Sequence, residues 1–270
     1  MFSPEPLSLS LDARVFGASV IGPLHLQLGL PCQDACAYGI SPSGSLTIAV
    51  ADGLGSATMS QAGAQVAVAS ALNAAMNTLD AYLEKGDRLD EVVRNAAVSA
   101  RAGLECYSAN ESCTLRELAC TLILAVVRKD RLAIAHIGDG AVVVEAVDGL
   151  SIISAPEESE FTNEVVPITS SNWDEHLRIV SSTLSIKSIA VFTDGCQRAA
   201  FRRAGEALQP FDRFFNPIFD YARSLTDPEG GTKEIVELLG SAKVCENSDD
   251  DKTLVVGVQF WAPNACYVSR

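Results

Sequence analysis

Apolar and polar positions along the chain follow two rhythms, and each marks a different kind of element. Residues 46–51 (LTIAVA) form a short apolar run behind a Ser- and Gly-rich flank, too short for a core helix and suited to a buried strand. The run ends at Asp52-Gly53-Leu54-Gly55-Ser56, after which the period lengthens. Over residues 57–83, Val66, Ala69, Leu72, Ala75, Met76 and Leu79 fall on one helical face, which predicts a long helix. A second helix is predicted over 89–107, beyond the Gly86-Asp87 break, with Val92, Val93, Ala96, Ala100 and Leu104 at helical spacing. Being consecutive, the two are expected to pack as an antiparallel pair.

Strand rhythm returns from Cys120. Residues 121–127, the Lys129-Asp130 turn, 131–137, 141–147, Asp148-Gly149 and 150–154 read as a β-meander, with further strands at 176–181, 188–193 and 253–260. Residues 14–21 and 34–38 read as a first strand pair, after a lead-in or edge strand over 1–12. Helices are predicted at 211–224 and 232–239. The acidic stretch 155–174 is too long for a tight turn, and connections of that length often cover functional sites. Within it Glu157, Glu158 and Glu160 suit a solvated face, while Phe161 or Trp173 would anchor a peptide. Strands, a helix pair, more strands and more helices predict an α+β fold of antiparallel sheets covered by helices.

Composition narrows the function. With 270 residues and 48% hydrophobic content the chain can bury a large core, and one domain over 1–270 is expected. No basic start leads into an apolar stretch, and no apolar run reaches the ~20 residues that cross a bilayer, so the chain reads as soluble and cytoplasmic. Its eight cysteines lack the paired CxxC spacing of a zinc site and suit free thiols in a reducing compartment. A net charge of −14 argues against nucleic acid or an anionic membrane as partner. Any phosphate must therefore be met where the sign is locally reversed, which bound divalent cations do.

Three apolar runs end alike, in AVADG at 49–53, AHIGDG at 135–140 and AVFTDG at 190–195, and Asp249-Asp250-Asp251 stands just before the last run, TLVVGV. Hard cations such as Mg²⁺ and Mn²⁺ take several oxygen ligands, which short Asp side chains on rigid strand ends can supply. A following Gly lets the chain turn and frees a backbone carbonyl as a further ligand. The competing reading of any single Asp-Gly is a hairpin turn. Asp148-Gly149, between AVVVEAV and LSIIS, is such a turn. Asp52 differs because a long helix follows it, and Asp194 because it precedes a polar break, Cys196-Gln197-Arg198.

Together with PCQDAC at 31–36, the motifs VADGLGS at 50–56, GDG at 138–140, VFTDG at 191–195 and SDDDKTLVV at 248–256 resemble those of the metal-dependent serine/threonine phosphatases of the protein phosphatase 2C family, in particular a divergent bacterial branch. The resemblance spans nearly the whole chain. It implies a four-layer α-β-β-α sandwich, two central antiparallel sheets flanked by helices, with a metal centre at one end. It also implies that Asp52 bridges two metals, that Gly53 lends a carbonyl, and that Asp194 and Asp250 are further ligands. Asp34 matches the acidic residue of the first motif, with a catalytic and metal-binding role, and Asp139 an aspartate that helps hold a third ion. The implied cofactors are two or three Mg²⁺ or Mn²⁺ ions, and the implied substrate is a phosphorylated protein. A water shared by two ions ionises at neutral pH and attacks in line, without a covalent phospho-enzyme. Cys196 is then expected to pack beside the site rather than to act as nucleophile.

Some positions depart from the family pattern. Gln33 stands where many relatives carry Glu, and Gly29 or its neighbours where they carry a phosphate-binding Arg, so a bidentate contact is missing. His25 or Arg14 could substitute, although His25 also suits an ordinary strand residue in the alternating LHLQL run. His136 reads as a core histidine, with proton donation to the leaving alkoxide as its other reading, and His176 begins a strand. The departures keep two alternatives open: a catalytically weak phosphopeptide-binding pseudophosphatase, and a hydrolase of small phosphoesters. Clustered carboxylates without metal would repel one another, which favours the enzyme.

Overall fold

A computed structural model describes residues 12–84, 88–156, 165–205 and 207–260. The strand β1 (Asp12–Val20) leads through the short helix α1 (Pro23–Leu28) to β2 (Ala35–Ile40) and β3 (Leu46–Ala51). The long helices α2 (Ser60–Glu84) and α3 (Leu89–Glu111) follow, then β4 (Leu122–Arg128), β5 (Arg131–Ile137), β6 (Ala141–Ala146) and β7 (Gly149–Ser154). After the helical turn α4 (Trp173–His176) come β8 (Arg178–Thr183), β9 (Ser188–Phe192) and a second turn, α5 (Gln197–Ala200). The hairpin β10 (Phe201–Ala204) and β11 (Ala207–Pro210), the helices α6 (Asp212–Ser224), α7 (Pro228–Leu239) and α8 (Ala242–Cys245), and β12 (Lys252–Phe260) complete the order.

Two five-stranded antiparallel sheets, β1-β12-β9-β6-β7 and β2-β3-β4-β5-β8, lie face to face. Ile48, Val50, Ile123, Val127 and Ile134 of one meet Val142, Val144, Ile189, Val191 and Val255 of the other in a buried layer. The alternate positions point outward: Ala49, Ala51, Leu122, Leu124 and Ala135 pack on α2 and α3, while Phe192, Leu254 and Val256 pack on Phe215 and Phe219 of α6. The layers are therefore helix, sheet, sheet, helix, as expected. Strands covered on both faces need apolar side chains at every position, which is why the runs are continuous instead of alternating.

The predicted elements recur with changes of partner. Residues 14–21 and 34–38 are not a pair: β1 lies beside β12, and β2 beside β3 in the other sheet. The expected meander is two hairpins, β4-β5 and β6-β7, one in each sheet. Gly138-Asp139-Gly140 carries the chain between the sheets, with Gly138 at φ +115, a conformation that favours glycine. His25 lies in α1, whose first turn Pro23 favours, and not in a strand. His176 ends α4, and β8 begins at Arg178. The Asp148-Gly149 turn is as expected. Of the lead-in expected over 1–12, only Asp12 is described, as the start of β1. Residues 1–11, the three glutamates and Phe161 lie outside the described residues, whereas Trp173 is half-buried against the α2–α3 core. No helix among the described residues is long and apolar enough to cross a membrane.

The inter-sheet layer predicts where stability resides. Ile134→Ala, at a fully buried position, is expected to cost about 2–5 kcal/mol in urea unfolding. Val147→Ala, at a position 70% exposed, should change stability by less than about 0.5 kcal/mol. Equal effects at the two positions would contradict the packing described.

Candidate metal centre

The register brings the implied residues to one end of the sandwich. Ala35 pairs with Ala51, so Asp34 and Asp52 sit side by side at the end of one sheet. Phe192 pairs with Leu254 and with Ala141, which places Asp194, Asp250 and the Gly138–Gly140 crossover at the same end of the other. The backbone of Asp52 is held twice by Thr121: its N–H donates to Thr121 Oγ1 at 2.9 Å and its carbonyl accepts from Thr121 N at 2.8 Å. At Gly53 a Cβ would stand 2.6 Å from the Gln33 carbonyl and 2.9 Å from Ser60 Cβ, so only glycine fits.

Two buried carboxylates join the sheets here. Asp34, from the β2 side, accepts at Oδ2 from the hydroxyls of Thr193 and Thr253 in the facing sheet, each at 2.8 Å. Asp251, just before β12, accepts from Gly22 N at 2.7 Å and Gln33 N at 2.6 Å, and its Oδ2 lies 2.8 Å from His25 Nδ1. Its neighbour Asp250 is exposed and caps the Asp251 N–H at 2.8 Å. The buried Lys252 ammonium donates to the Asp250 carbonyl at 2.6 Å, and the Gln197 amide donates to the Asp139 carbonyl.

The carboxylates form one electrostatic unit. Burial, opposed in part by the two threonine hydroxyls and then reinforced by the charges of Asp251 and Asp194, pushes Asp34 up from 3.8 to about 8. Burial and the charge of Asp194 push Asp139 to about 6. Asp52 is raised by burial, Asp34, Asp194 and Asp139, and Asp194 by burial and Asp250. Among the described residues no ion pair involves Asp34, Asp52, Asp139, Asp194 or Asp250. Asp194 also keeps a buried Oδ1 without a hydrogen-bond partner. An oxygen-only, uncompensated donor set of this kind fits hard divalent cations. Among the described residues no three such side chains are closed onto a single point, so waters would have to complete the shells, as Mg²⁺ commonly requires.

Asp34, Asp52, Asp139 and Asp194 are thus gathered, with Asp250 at the rim. His25 is buried against Asp251, and Arg14 lies elsewhere: it pairs with Val258, six positions along β12 from Lys252, and donates to the Arg223 carbonyl. Burial first and the Arg178 charge second hold His136 down at about 3, so it cannot serve as a protonated donor near neutral pH. Cys196 and Arg202 do have the CxxxxxR spacing of cysteine phosphatases. Here, however, α5 and β10 occupy the segment, burial pushes the buried Cys196 thiol up, and Arg202 stacks 3.9 Å over Phe211. Thr121, Thr193, Thr253 and Asp251 were not anticipated. Thr193, Thr253 and Asp251 do carry a sequence signal, a hydroxyl or second acid beside the Asp motifs, as in FTDG and DDKT, whereas Thr121, in ACTLIL, has none.

Comparison with known proteins adds lineage to this geometry. The sequence profile of protein phosphatase 2C matches residues 21–240. Serine/threonine-protein phosphatase 3 of Escherichia coli (strain K12) is 32% identical over 257 residues, 92% of this chain and 98% of that protein. The serine/threonine phosphatase of S. agalactiae has the same fold at 12% identity, with a TM-score of 0.61 over 92% of this chain and 99% of that one. So does the catalytic domain of PstP in complex with 2 manganese ions, at 16% identity and a TM-score of 0.57 over 93% and 100%.

The raised carboxylates make the metal-free fold pH-sensitive. Unfolded, they lose protons near 3.8, but folded Asp139 holds its proton to about 6 and Asp34 to about 8. The folded state therefore binds more protons, and stability falls as pH rises between those values. Without divalent cations the thermal midpoint is expected to be lower at pH 8 than at pH 6. Mn²⁺ should raise it at pH 8, and Asp52→Asn should lift the metal-free midpoint while shrinking the Mn²⁺ effect. A metal-free midpoint that climbs from pH 6 to pH 8 would contradict the cluster.

Proposed function

The chain belongs to the protein phosphatase 2C family and is a metal-dependent serine/threonine protein phosphatase, and from this we propose which of its residues perform the reaction. Asp52, the Gly53 carbonyl, Asp194 and Asp250 hold two Mg²⁺ or Mn²⁺ ions, Asp139 helps hold a third, and Asp34 orders the site from the buried side. The observation that carries this reading is the set of buried carboxylates from both sheets whose proton affinity burial and neighbouring charges raise, with Asp52 and Asp194 hydrogen-bonded to each other and the Asp194 Oδ1 left without a partner. Such a set is stable in ionised form only beside cations.

When bound, a pair of divalent cations supplies an acidified water as nucleophile and neutralises the phosphoryl oxygens, so no covalent enzyme intermediate is needed. The chain's own contribution is placement. Thr121 fixes the backbone of Asp52 at both its N–H and its carbonyl, and the Thr193 and Thr253 hydroxyls fix the plane of the Asp34 carboxylate. Asp251 ties the segment carrying Gln33 and Asp34 to the one carrying Asp250. Since neither sheet holds the full ligand set, the catalytic unit is the whole chain acting as one domain. The phosphorylated substrate is a protein carrying phosphoserine or phosphothreonine, in keeping with the name of the E. coli relative.

The test is Mn²⁺-dependent phosphate release from a phosphothreonine peptide. Asp52→Asn and Asp194→Asn should each reduce it more than about a hundredfold, since even the outer partners of metal ligands are worth 10–100-fold. Folded wild-type protein without metal-dependent turnover would overturn the reading. Tight phosphopeptide binding in its place would indicate the pseudophosphatase, and turnover of aryl phosphates alone a small-molecule hydrolase.

A further inference from the structure

The outer strands of the two sheets are joined at the site end by a polar group that the proposed chemistry does not use. β7 and β8 are the last strands of their respective sheets. His136 of β5 and Arg178 of β8 are register partners on the inter-sheet side, in phase with Ile134 and Val180. His136 is fully buried, and its Nδ1 lies 2.7 Å from the hydroxyl of Ser154, which belongs to β7 in the opposite sheet. Arg178 Nη2 lies 3.0 Å from the same nitrogen. A guanidinium can only donate, so with Arg178 as its partner Nδ1 accepts, and the buried Nε2, which has no hydrogen-bond partner, carries the ring proton unsatisfied. The other arm, Nη1, donates to the Ala155 carbonyl at 2.6 Å, just past β7, and Nη2 also stands 3.5 Å from the Gly138 carbonyl.

Gly138 opens the crossover that carries Asp139. A Cβ there would stand 2.5 Å from Thr121 Cβ, and Thr121 is the residue that holds Asp52. On the other flank Gln197, next to the Asp194–Cys196 turn, donates to the Asp139 carbonyl. The crossover thus lies close against Thr121 on the Asp52 side, is bonded from the Asp194 side by Gln197, and is reached from the sheet edge by Arg178, which also contacts His136.

We propose that Arg178 is a positioning residue: by bracing His136, Gly138 and Ala155 it sets the separation of the sheets at this edge and thereby the place of Asp139 relative to Asp52 and Asp194. The inference rests on the assignment of Asp139 to the metal centre. The planar fork matters, because one arm reaches the facing sheet while the other serves the histidine and the crossover; an ammonium is a single point charge and cannot span them. Because His136 stays neutral down to about 3, it remains an acceptor throughout the neutral range.

The test combines amide hydrogen exchange on the metal-free protein with Mn²⁺ titration, for wild type, Arg178→Met, Arg178→Lys, Asp139→Asn and the Arg178→Met/Asp139→Asn double variant. Arg178→Met is expected to speed exchange at residues 138–140 but not in β3 or β4, and to weaken Mn²⁺ binding about tenfold, as loss of an outer partner does. It should add nothing to the loss caused by Asp139→Asn. Arg178→Lys, which keeps the charge, should show the same pattern to a smaller degree and decides the matter if the Met variant does not fold. Unchanged exchange at 138–140 overturns the proposal, as does equal weakening in both backgrounds, which would mark a general loss of stability. If Asp139→Asn binds Mn²⁺ like wild type, the metal assignment is what fails, and exchange at 138–140 still decides for or against the brace.

Discussion

Everything at the site end depends on two sheets being locked together by buried carboxylates. Asp34 reaches from one sheet to two threonines of the other, and Asp251 reaches back to Gly22, Gln33 and His25. Hydrogen bonds to charged groups are worth about 1.5–3 kcal/mol each, and a buried charge left without them costs more than it ever gained. The locks are therefore strong only while intact. The charge of Asp251 also raises the proton affinity of Asp34, just where Asp52, Asp139 and Asp194 already crowd together, so the lock at Asp34 is ionised only against that opposition. The fold tolerates this opposition because the apolar layers elsewhere are continuous, and because cations can relieve it. Stability surrendered at a functional site and recovered in the core is a common trade.

The inter-sheet layer explains why the locks can be so exact in register. Branched residues such as Ile48, Val50, Ile134 and Val191 fill the space between the sheets, while alanines at 49, 51 and 135 let the long helices approach from outside. Side chains of fixed shape on both faces leave little freedom for a strand to slip, since a shift of one residue would exchange the two layers. Strand ends, and the aspartates on them, inherit that rigidity.

Much of this was legible from the residues, and the failures share a cause. The long helices, the buried runs and the ranking of Asp52 above Asp148 follow from local period and from what comes next in the chain. Which sheet a hairpin joins does not: β4-β5 and β6-β7 look alike in sequence, and the crossover between them shows in the structure at Gly138, whose φ is positive and whose side-chain position Thr121 fills. Asp249, Asp250 and Asp251 are equally indistinguishable as letters, yet one is buried in a clamp and its neighbour caps it. The LHLQL alternation suggested a strand at His25, but Pro23 starts a helix there and the Asp251 partner lies 226 residues away. Tertiary partners of that kind leave no trace in a local window.

The same helix bears on how phosphate is met. The first motif places no arginine at Gly29, and the reason is conformational as well as chemical. Gly29 ends α1 at φ 67, with its N–H on the Leu26 carbonyl and the next N–H on the His25 carbonyl. That cap closes on the carbonyl of His25, whose ring meets Asp251, and a residue with a side chain would lose roughly 1–2 kcal/mol in adopting it. At position 29 itself an arginine would thus strain the cap beside the clamp, whereas the neighbouring Leu28 and Leu30 have no positive φ and lie outside that constraint. With glycine at this cap no side-chain charge stands at position 29, and under the proposed metal assignment the charge that meets a phosphoryl group at this edge would be that of the cations, with the chain's own task reduced to keeping the carboxylates in place.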